Sequence, residues 1–580
     1  MSFTIYYDGD CPFCTRYVAM SRLRAAAGPV SLIDLRQDAA ARARLGAEGL
    51  DPDTGMVVET PAGLYHGADA VHAISAMSSG AGLLNRLAAT LFRHRALARL
   101  AYPVLRAGRN AALLALGRSP MRAADPAENA GFEIFARFFG LFLILNVLYY
   151  MFRATAFDLQ PTSVPLLLLG LALVVRPAAK AIFVLSVLAL AADSWLHAPV
   201  HSNHTMLANF LIATFLMGGA WHMLRGSSWE AFFAAVRPTG RVLLLIMYTF
   251  GIFHKINTDF LNPETSCAVA LWREMPAPLA AIDTAWMHYL AIYGTFVVEG
   301  VIMLMLIVPR WRHLGIIAGI GFHALLAQSG YAMYPVFTTL AIVLHILYLP
   351  PAVALRISRH PRYRALDAFL RRPAGVAYIV AAIGLIGLFA RDWDYRMAAF
   401  VWLLLATWPL AIIAVAGFHR AAHEHERVQL WSPTLALNLI PLVFFLNCLS
   451  PYFGLKTAQS MNMFANLRLE GGVSNHLVFR DTIGPFTYLD DIVLVTDARG
   501  SATLTAALQH TDISLVYYEF LDMLEDVPPQ AEVAFVRGPY AVPLTPVAEI
   551  MERDGHILHP EWMRKVFHFL PVMTETPRPC

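Results

Sequence analysis

Long apolar runs recur through the middle of the chain and alternate with short polar segments. Eleven such runs fall between residues 132 and 449. A helix needs about 20 predominantly apolar residues to cross a bilayer, and several of these runs are shorter. The pattern predicts a bundle of about eleven membrane-spanning helices. The runs are 132–152, 164–175, 181–196, 206–224, 242–253, 285–308, 314–328, 336–349, 374–390, 397–417 and 434–449.

The two ends of the chain have a different pattern, in which short apolar stretches alternate with polar turns. Residues 1–80 predict the order strand, helix, strand, helix, strand, strand, helix, with Cys11-Pro-Phe-Cys14 at the start of the first helix. That order and placement are thioredoxin-like. Residues 450–580 predict a small α+β domain. Its predicted strands are 491–496, 502–504 and 533–536, and its predicted helices are 513–524 and 547–553.

Residues 81–130 predict a basic amphipathic linker that lies on the membrane surface. Eight arginines stand among leucine and alanine between residues 83 and 122. A nucleic-acid partner is not expected, because an apolar run of spanning length follows directly. The predicted domain order is therefore a thioredoxin-like domain at 1–80, the linker, a transmembrane domain at 131–449 and the α+β domain at 450–580.

The composition agrees with a membrane protein that has folded domains at both ends. The chain has 580 residues, of which 57% are hydrophobic and 15% charged, and its mean hydropathy is +0.52. Soluble domains carry nearer 25% charged residues. The fold class predicted is a mainly α, polytopic membrane helix bundle. Five cysteines are too few for a disulfide scaffold.

Basic residues crowd alternate loops, and this asymmetry predicts the orientation. Arginine and lysine are concentrated before the first span and in every second loop after it. Because basic loops stay in the cytoplasm, these loops are predicted to be cytoplasmic. We therefore expect a multi-pass plasma (inner) membrane protein with a cytoplasmic N-terminal domain and a periplasmic or extracellular C-terminal domain.

The cysteine pair predicts thiol–disulfide chemistry. The N-terminus of a helix stabilises a thiolate, so an exposed Cys11 would attack a disulfide and Cys14 would resolve the product. Asp8 and Asp10 precede the pair and are expected to raise the thiol pKa through like charge. Half of a zinc site is the alternative, but the chain has no second cysteine pair. The sequence YDGDCPFC resembles the small thiol-disulfide oxidoreductase family called DCC.

Polar clusters near the predicted outer ends of the spans are candidates for a second site. An unpaired ion at membrane depth costs several kcal/mol, so such groups are functional candidates. The alternatives are a lysine that extends to the headgroups, packed histidines and carboxylates paired with a neighbouring span. The clusters are His197-x-x-x-His201-x-x-His204; His254-Lys255 with Asn257 and Asp259; and His323 with Gln328, Ser329 and Tyr331, while Asp193 and Glu299 lie within spans.

Histidine spacing also raises the possibility of a metal pair. The pattern His-x-x-x-His occurs at 197–201 and again at 419–423, where His425 follows. The predicted topology places these two groups on opposite sides of a hydrocarbon core of roughly 30 Å. They cannot share a metal pair across that distance, and no metal is expected.

Several segments together resemble the vitamin K-dependent gamma-carboxylases and their bacterial relatives, the horizontally transferred transmembrane (HTTM) domain proteins. The segments are FHKINTDFLNPETSCA, SNHTMLANFL, FHALLAQSGYAMYP and SPYFGLKTAQSMNMFANLRLEGGVSNH. The resemblance covers about residues 130–580. It implies that Lys255 deprotonates a quinol and that His204 stabilises the anion. It also implies a reduced, vitamin K-like quinone and O2 as co-reactants, with CO2 if a glutamate is carboxylated.

Three functions follow from these patterns. The first is a membrane enzyme of quinol oxygenation or carboxylation, with Lys255, His204, His254, His323 and Glu299 as candidate catalytic residues and Asn203, Asn257 and Asp259 as motif residues. The second is a redox relay that passes electrons between Cys11/Cys14 and a partner thiol, disulfide or quinone. The third is a non-catalytic membrane scaffold or transporter. The expected partners are the lipid bilayer, an isoprenoid quinol and a protein that bears a disulfide or a glutamate.

Overall fold

The computed structural model describes most of the chain. The predicted histidine group at 419–425, His201 and Tyr331 lie outside the described residues. The described ranges are 3–15, 30–77, 92–118, 121, 125–153, 160–199, 202–330, 334–392, 395–418, 426–508, 513–569 and 572–573.

The N-terminal residues form a four-stranded sheet with the strand order β2-β1-β3-β4. Strand β1 is parallel to β2 and antiparallel to β3, and β3 and β4 form a hairpin. A helical turn begins directly after Cys11 and is described to residue 15. The thioredoxin-like order predicted for this region is confirmed for the elements that are described. These are β1 (Phe3–Tyr7), β2 (Val30–Asp34), α1 (Ala39–Ala47), β3 (Val57–Thr60), β4 (Gly63–His66) and α2 (Ala68–Met77).

Helix α3 (Arg95–Ala115) connects this sheet to the membrane bundle. Its buried residues Ala98 and Arg109 face the N-terminal domain. The side chains of Leu100 and Val104 are exposed, so the helix is amphipathic. Its polar side contacts the bundle, because Arg106 Nε donates to the carbonyl of Leu224 at 3.1 Å and Asn110 Nδ2 donates to that of Met223 at 3.3 Å.

The eleven apolar runs all form helices, but they differ in length. Seven helices among the described residues are long and apolar enough to cross a membrane, or up to eight if one bent pair is counted as a span. The predicted count of about eleven is not confirmed, because the remaining runs form helices of 10 to 15 residues. The long helices are α4 (Pro126–Arg153), α6 (Lys180–His197), α7 (Asn203–Arg225), α8 (Trp229–Phe253), α12 (Ala285–Ile307), α17 (Pro373–Arg391) and α18 (Tyr395–Gly417).

The shorter helices fill the spaces between these spans. Helices α14 and α15 form the bent pair, and the chain bends by 111° between them. The turn between them contains Pro350, and Pro351 begins α15, which fits the helix-ending effect of proline. The shorter helices are α5 (Ser163–Val175), α9 (Thr258–Leu261), α10 (Cys267–Arg273), α11 (Ala277–Ala280), α13 (Arg312–Leu326), α14 (Tyr334–Ile346), α15 (Pro351–Arg359), α16 (Pro361–Leu370) and α19 (Leu439–Cys448).

Helix α4 lies at the centre of the bundle. It is apolar on all sides, and nearly every side chain in its apolar part is buried, as expected for a helix enclosed by others. Phe135 and Phe139 pack against Phe183 of α6 and Phe215 of α7. These contacts hold α6 and α7 against the central helix.

The C-terminal region contains a five-stranded sheet with the order β8-β7-β5-β6-β9. Residues 502–504 belong to a helix, not to the predicted strand, and 513–516 form a strand where we expected helix. The second difference depends on tertiary contacts, because β6 forms only by pairing with β5 and β9. The elements are β5 (Ile492–Arg499), α20 (Ala502–Leu508), β6 (Ile513–Val516), α21 (Tyr517–Glu525), β7 (Glu532–Arg537), β8 (Tyr540–Pro546), α22 (Val547–Asp554), α23 (Glu561–Arg564) and β9 (Val572–Met573).

Candidate functional sites

The Cys11–Cys14 pair is arranged for a stable thiolate on the first cysteine. The backbone N–H of Cys14 lies 3.1 Å from Cys11 Sγ and donates to it. The side-chain hydrogen bond from Cys14 is the main cause that lowers the pKa of Cys11, to about 6, although burial opposes it. The same bond and burial raise the pKa of Cys14. Cys11 is therefore largely thiolate at neutral pH, and Cys14 stays protonated.

Asp8 does not act on Cys11 as predicted. Its carboxylate is buried and accepts from Arg36 Nε at 2.8 Å and from Arg109 Nη2 at 2.7 Å. Burial raises the pKa of Asp8, but the two guanidinium groups outweigh it and hold this pKa below its usual value. The pKa of Cys11 is lowered, so the expected rise is wrong for this thiol, whereas the charge of Asp8 does contribute to the raised pKa of Cys14. Asp10 is farther from these groups, with Oδ2 3.7 Å from Arg36 Nε.

The expected exposure of the first cysteine is also wrong. Cys11 is 0% exposed and Cys14 is 8% exposed, whereas Phe13 between them is 59% exposed. The charge of Arg109 on α3, which binds Asp8, acts on this buried thiol. A disulfide in a substrate can reach Cys11 only after a local movement.

Lys255 belongs to a second site, at the end of α8. Its Nζ donates to Glu299 Oε1 on α12 at 2.7 Å, and both side chains are about nine-tenths buried. Nζ also lies 5.8 Å from the centre of the Phe260 ring. This contact joins the end of α8 to α12 inside the bundle. Lys255 is thus an internal ion-pair partner and does not extend to the headgroups.

A small cavity of about 70 Å³ lies beside this ion pair. Its wall includes Tyr248, Lys255, Glu299, His323 and Tyr334. Among the described residues, Glu299 Oε2 and His323 Nδ1 are buried and have no hydrogen-bond partner. The wall of this cavity therefore holds two polar atoms that a bound polar group would satisfy.

A hydrogen-bonded chain leads from this cavity into the bundle. The hydroxyl of Tyr248 lies 2.9 Å from His323 Nε2 and 3.1 Å from His345 Nε2. His345 Nδ1 donates to the carbonyl of Ala341 at 2.7 Å, so its Nε2 accepts from Tyr248 when the ring is neutral. His323 Nε2 then donates to the tyrosine oxygen, so Nδ1 is the buried acceptor that has no partner among the described residues. Our sequence analysis missed Tyr248 and His345, although a histidine within an apolar run was the available signal.

His204 does not line this cavity. It lies at the start of α7, where Ser202 Oγ is 2.8 Å from Nδ1 and the Tyr149 ring packs at 4.9 Å. Its neighbour Asn203 accepts through Oδ1 from the backbone N–H of Met461, which does line the cavity. The Asn-His segment therefore contacts the site through Asn203.

His254, Asn257 and Asp259 bind the polar segment at 450–476 over the cavity. His254 is fully buried and bonds to Tyr452 Oη at 2.8 Å and to the carbonyl of Ser460 at 2.9 Å. Asn257 Nδ2 donates to two carbonyls, including that of Ala465 at 2.6 Å. Asp259 Oδ2 accepts from Asn475 at 2.9 Å. The structure places these three predicted site residues in structural contacts.

The two sites lie at opposite ends of α7. Its C-terminal end contacts α3, which holds Asp8 beside the cysteines. Its N-terminal end contacts Met461 of the lysine cavity. Its 23 residues give a length of about 35 Å, so direct contact between the sites is excluded.

The histidines of the first predicted cluster are not gathered around a metal in the described part of the chain. His197 stacks on Tyr150 at 4.2 Å, and its Nδ1 lies 3.5 Å from Asp193 Oδ1. No group of three or more His, Cys, Asp or Glu side chains within the described ranges could hold a metal ion.

A thioredoxin-like sheet with a cysteine pair whose first thiol has a lowered pKa is typical of the class of thiol–disulfide oxidoreductases. Residues 5–114 match the family model of the DCC1-like thiol-disulfide oxidoreductases. The chain therefore carries a DCC1-like domain at its N-terminus, joined to apolar helices. The match includes α3 and Arg109, which we had assigned to a linker. Searches of curated proteins and of solved structures found no match to this chain.

Proposed function

We propose that the chain is a membrane-bound thiol–disulfide oxidoreductase in which Cys11 is the attacking thiolate and Cys14 the resolving thiol. The observation that carries this proposal is the hydrogen bond from the Cys14 N–H to Cys11 Sγ. It accompanies opposite pKa shifts on the two sulfurs, lower on Cys11 and higher on Cys14. A nucleophile with a pKa of about 6 is ionised at neutral pH and remains a competent attacking group.

The proposed reaction transfers two electrons to a substrate disulfide. Cys11 Sγ attacks one substrate sulfur, the substrate S–S bond breaks, and the other substrate sulfur leaves as a thiolate that takes up a proton. Cys14 then loses its proton and attacks Cys11 Sγ. This step releases the second substrate thiol and forms the Cys11–Cys14 disulfide. A partner dithiol or quinol restores the two thiols by supplying two electrons and two protons.

The test is to trap the mixed disulfide. Purified protein with Cys14→Ser should accumulate a covalent adduct with a disulfide-bearing peptide, whereas Cys11→Ser should form none. Loss of the adduct on treatment with dithiothreitol would show that the bond is a disulfide. Equal adduct formation by both variants would overturn the assigned roles.

We propose quinol oxygenation at the lysine cavity as a second candidate function. The specific observation in its favour is the buried Lys255–Glu299 pair beside unpaired Glu299 Oε2 and His323 Nδ1. After passing a proton to Glu299, Lys255 would take a proton from a reduced vitamin K-like quinone that enters from the bilayer. The quinol and O2 would then give an epoxide and water. A glutamate and CO2 would take part only if carboxylation is coupled to this oxidation.

The cavity must enlarge for this reaction, since 70 Å³ holds no naphthoquinone ring. Met461, Met463 and Phe464 form one side of it, and methionine side chains adapt readily. Purified protein with reduced naphthoquinone and O2 should form epoxide, and Lys255→Ala should form none. Wild-type epoxide formation by Lys255→Ala would overturn this function, and so would the absence of epoxide from the wild-type protein.

We propose that the lysine site faces the periplasm or the exterior and that the cysteine pair faces the cytoplasm. Cys267, near the lysine site, is disulfide-bonded, whereas Cys11 and Cys14 are free. Disulfides persist in oxidising compartments and are rare in the cytoplasm. A cysteine introduced at the exposed Glu264 should react with a membrane-impermeant maleimide in intact cells. Labelling only after cell lysis would show that the lysine site faces the cytoplasm and would overturn the proposed orientation.

A further inference from the structure

A second cavity, of about 670 Å³, lies between the DCC1-like domain and the bundle. Its walls are α3, the polar segment at 51–54, helices α6 and α7 and the start of α8. Ligand-binding pockets in proteins have volumes of about 300–1,000 Å³. The cavity is therefore large enough for part of a lipid molecule, and neither proposed reaction uses it.

One half of this cavity is apolar and extends to the outer surface of the bundle. Phe183 and Val187 of α6 and Phe215 of α7 line it. Leu188 and Leu216 also line it and are 50% and 39% exposed on the bundle surface. An acyl chain from the surrounding bilayer can enter between α6 and α7 at these two leucines.

The other half of the cavity carries positive charge. Arg118, Lys180 and Arg225 line it. Lys180 pairs with Glu230 at 3.3 Å, but no ion pair is recorded for Arg118 or Arg225 within the described part of the chain. The N-terminus of α8 also lines this half through Ser228 and Trp229, and a helix N-terminus favours an anion.

Hydrogen-bonding atoms in this wall are also unsatisfied. Both ring nitrogens of His222 and Nε1 of Trp229 are buried without a partner in the described structure. The acidic residues that line the cavity have internal contacts, since Asp51 accepts from the N–H of Asp53 and Asp53 from that of Met121. Buried polar groups are usually paired, so the free donors indicate a ligand with acceptor oxygens.

We propose that this cavity binds an anionic phospholipid, with its phosphate beside Arg118 and Arg225 and an acyl chain between α6 and α7. The two halves of the cavity match the two halves of such a molecule. The lipid contacts both the DCC1-like domain and the bundle, and so joins them at the membrane surface. This proposal is independent of either reaction.

The experiment measures lipid binding to the full-length protein by native mass spectrometry after delipidation in detergent. Phosphatidylglycerol should bind in preference to phosphatidylcholine, and glycerol phosphate without acyl chains should not compete. In Arg118→Gln/Arg225→Gln, affinity for phosphatidylglycerol should fall roughly tenfold or more, because charge-assisted hydrogen bonds are lost. The matched control is Arg364→Gln/Arg372→Gln, two exposed arginines outside the cavity wall, which should bind as the wild type does.

A second variant tests the apolar half without a change in charge. A side chain at Gly219 would enter the cavity, since the nearest atom to its Cβ would be Phe232 Cε2 at 4.0 Å. Gly219→Leu should therefore reduce phosphatidylglycerol binding, whereas Gly384→Leu, in an open position on α17, should not. Equal binding of both phospholipids, or full binding by both cavity variants, would overturn the proposal. If glycerol phosphate without acyl chains displaced phosphatidylglycerol, the cavity would be a site for a free phosphate and not for a lipid.

Discussion

Lys255 Nζ, just after α8, and Glu299 Oε1 of α12 lie 2.7 Å apart in a buried site, although the two residues are 44 positions apart in the sequence. Neither charge reaches bulk water, so each depends on the other. The pair closes one side of a small cavity that also contains His323 and Tyr248. This relationship makes Lys255 a structural residue as well as a candidate base.

Removal of one partner should therefore destabilise the protein more than removal of both. We expect Lys255→Met to lower the free energy of unfolding by about 3–5 kcal/mol, because it leaves a buried carboxylate unpaired. The double variant Lys255→Met/Glu299→Met should recover most of this loss. Thermal unfolding in detergent measures both effects. Additive losses in the double variant would show that the two side chains are not coupled.

The reactivity of Cys11 should follow its low pKa. The rate of alkylation by iodoacetamide should rise with pH through a midpoint near 6, since the thiolate is the reacting form. The plateau rate should stay below that of a free cysteine, because Cys11 is buried. Mass spectrometry of the modified peptide measures this rate, with Cys11→Ser as the control. A midpoint near 8.5, the value of an ordinary thiol, would contradict the assignment.

Arg109, which lies on α3, should lower the pKa of Cys11. Its positive charge helps to lower the pKa of Cys11, and its side chain holds Asp8. We expect Arg109→Met to raise the pH at the midpoint of the Cys11 alkylation curve. The same change should weaken the contact between α3 and the sheet. Arg99→Met is the matched control, because Arg99 forms an exposed ion pair on the same helix. An unchanged midpoint in Arg109→Met would exclude this role.

The crossing of α4 and α5 requires glycine. A Cβ atom at Gly140 would lie 2.6 Å from the carbonyl oxygen of Gly170, which is a backbone atom and cannot rotate away. Gly140→Ala should destabilise the bundle by about 1–3 kcal/mol through overpacking. On the same helix, Gly131→Ala meets its nearest atom at 3.7 Å and should have little effect. Thermal unfolding of the two variants tests this difference.

Local patterns in the sequence were sufficient for much of the fold. The order of strands and helices around Cys11-x-x-Cys14 was predicted correctly where it is described, and each apolar run became a helix. Hydrophobic periodicity and turn residues act over a few positions, so they can be interpreted without a structure. The span count was less certain, because the run lengths do not show which helices cross the membrane and which only pack inside the bundle.

Contacts between distant residues decided the sites. Arg109 pairs with Asp8 from 101 positions away, and its charge helps to lower the pKa of Cys11, against our expectation. The hydroxyl of Tyr248 links His323 to His345, and the three residues lie on three different helices. His254 and Asn257 form hydrogen bonds to the 450–476 segment. The sequence by itself determined which residues are polar, which are apolar and which helices they form. Only the tertiary structure decided which polar groups are paired inside the bundle, because burial makes each such group depend on a partner from another helix.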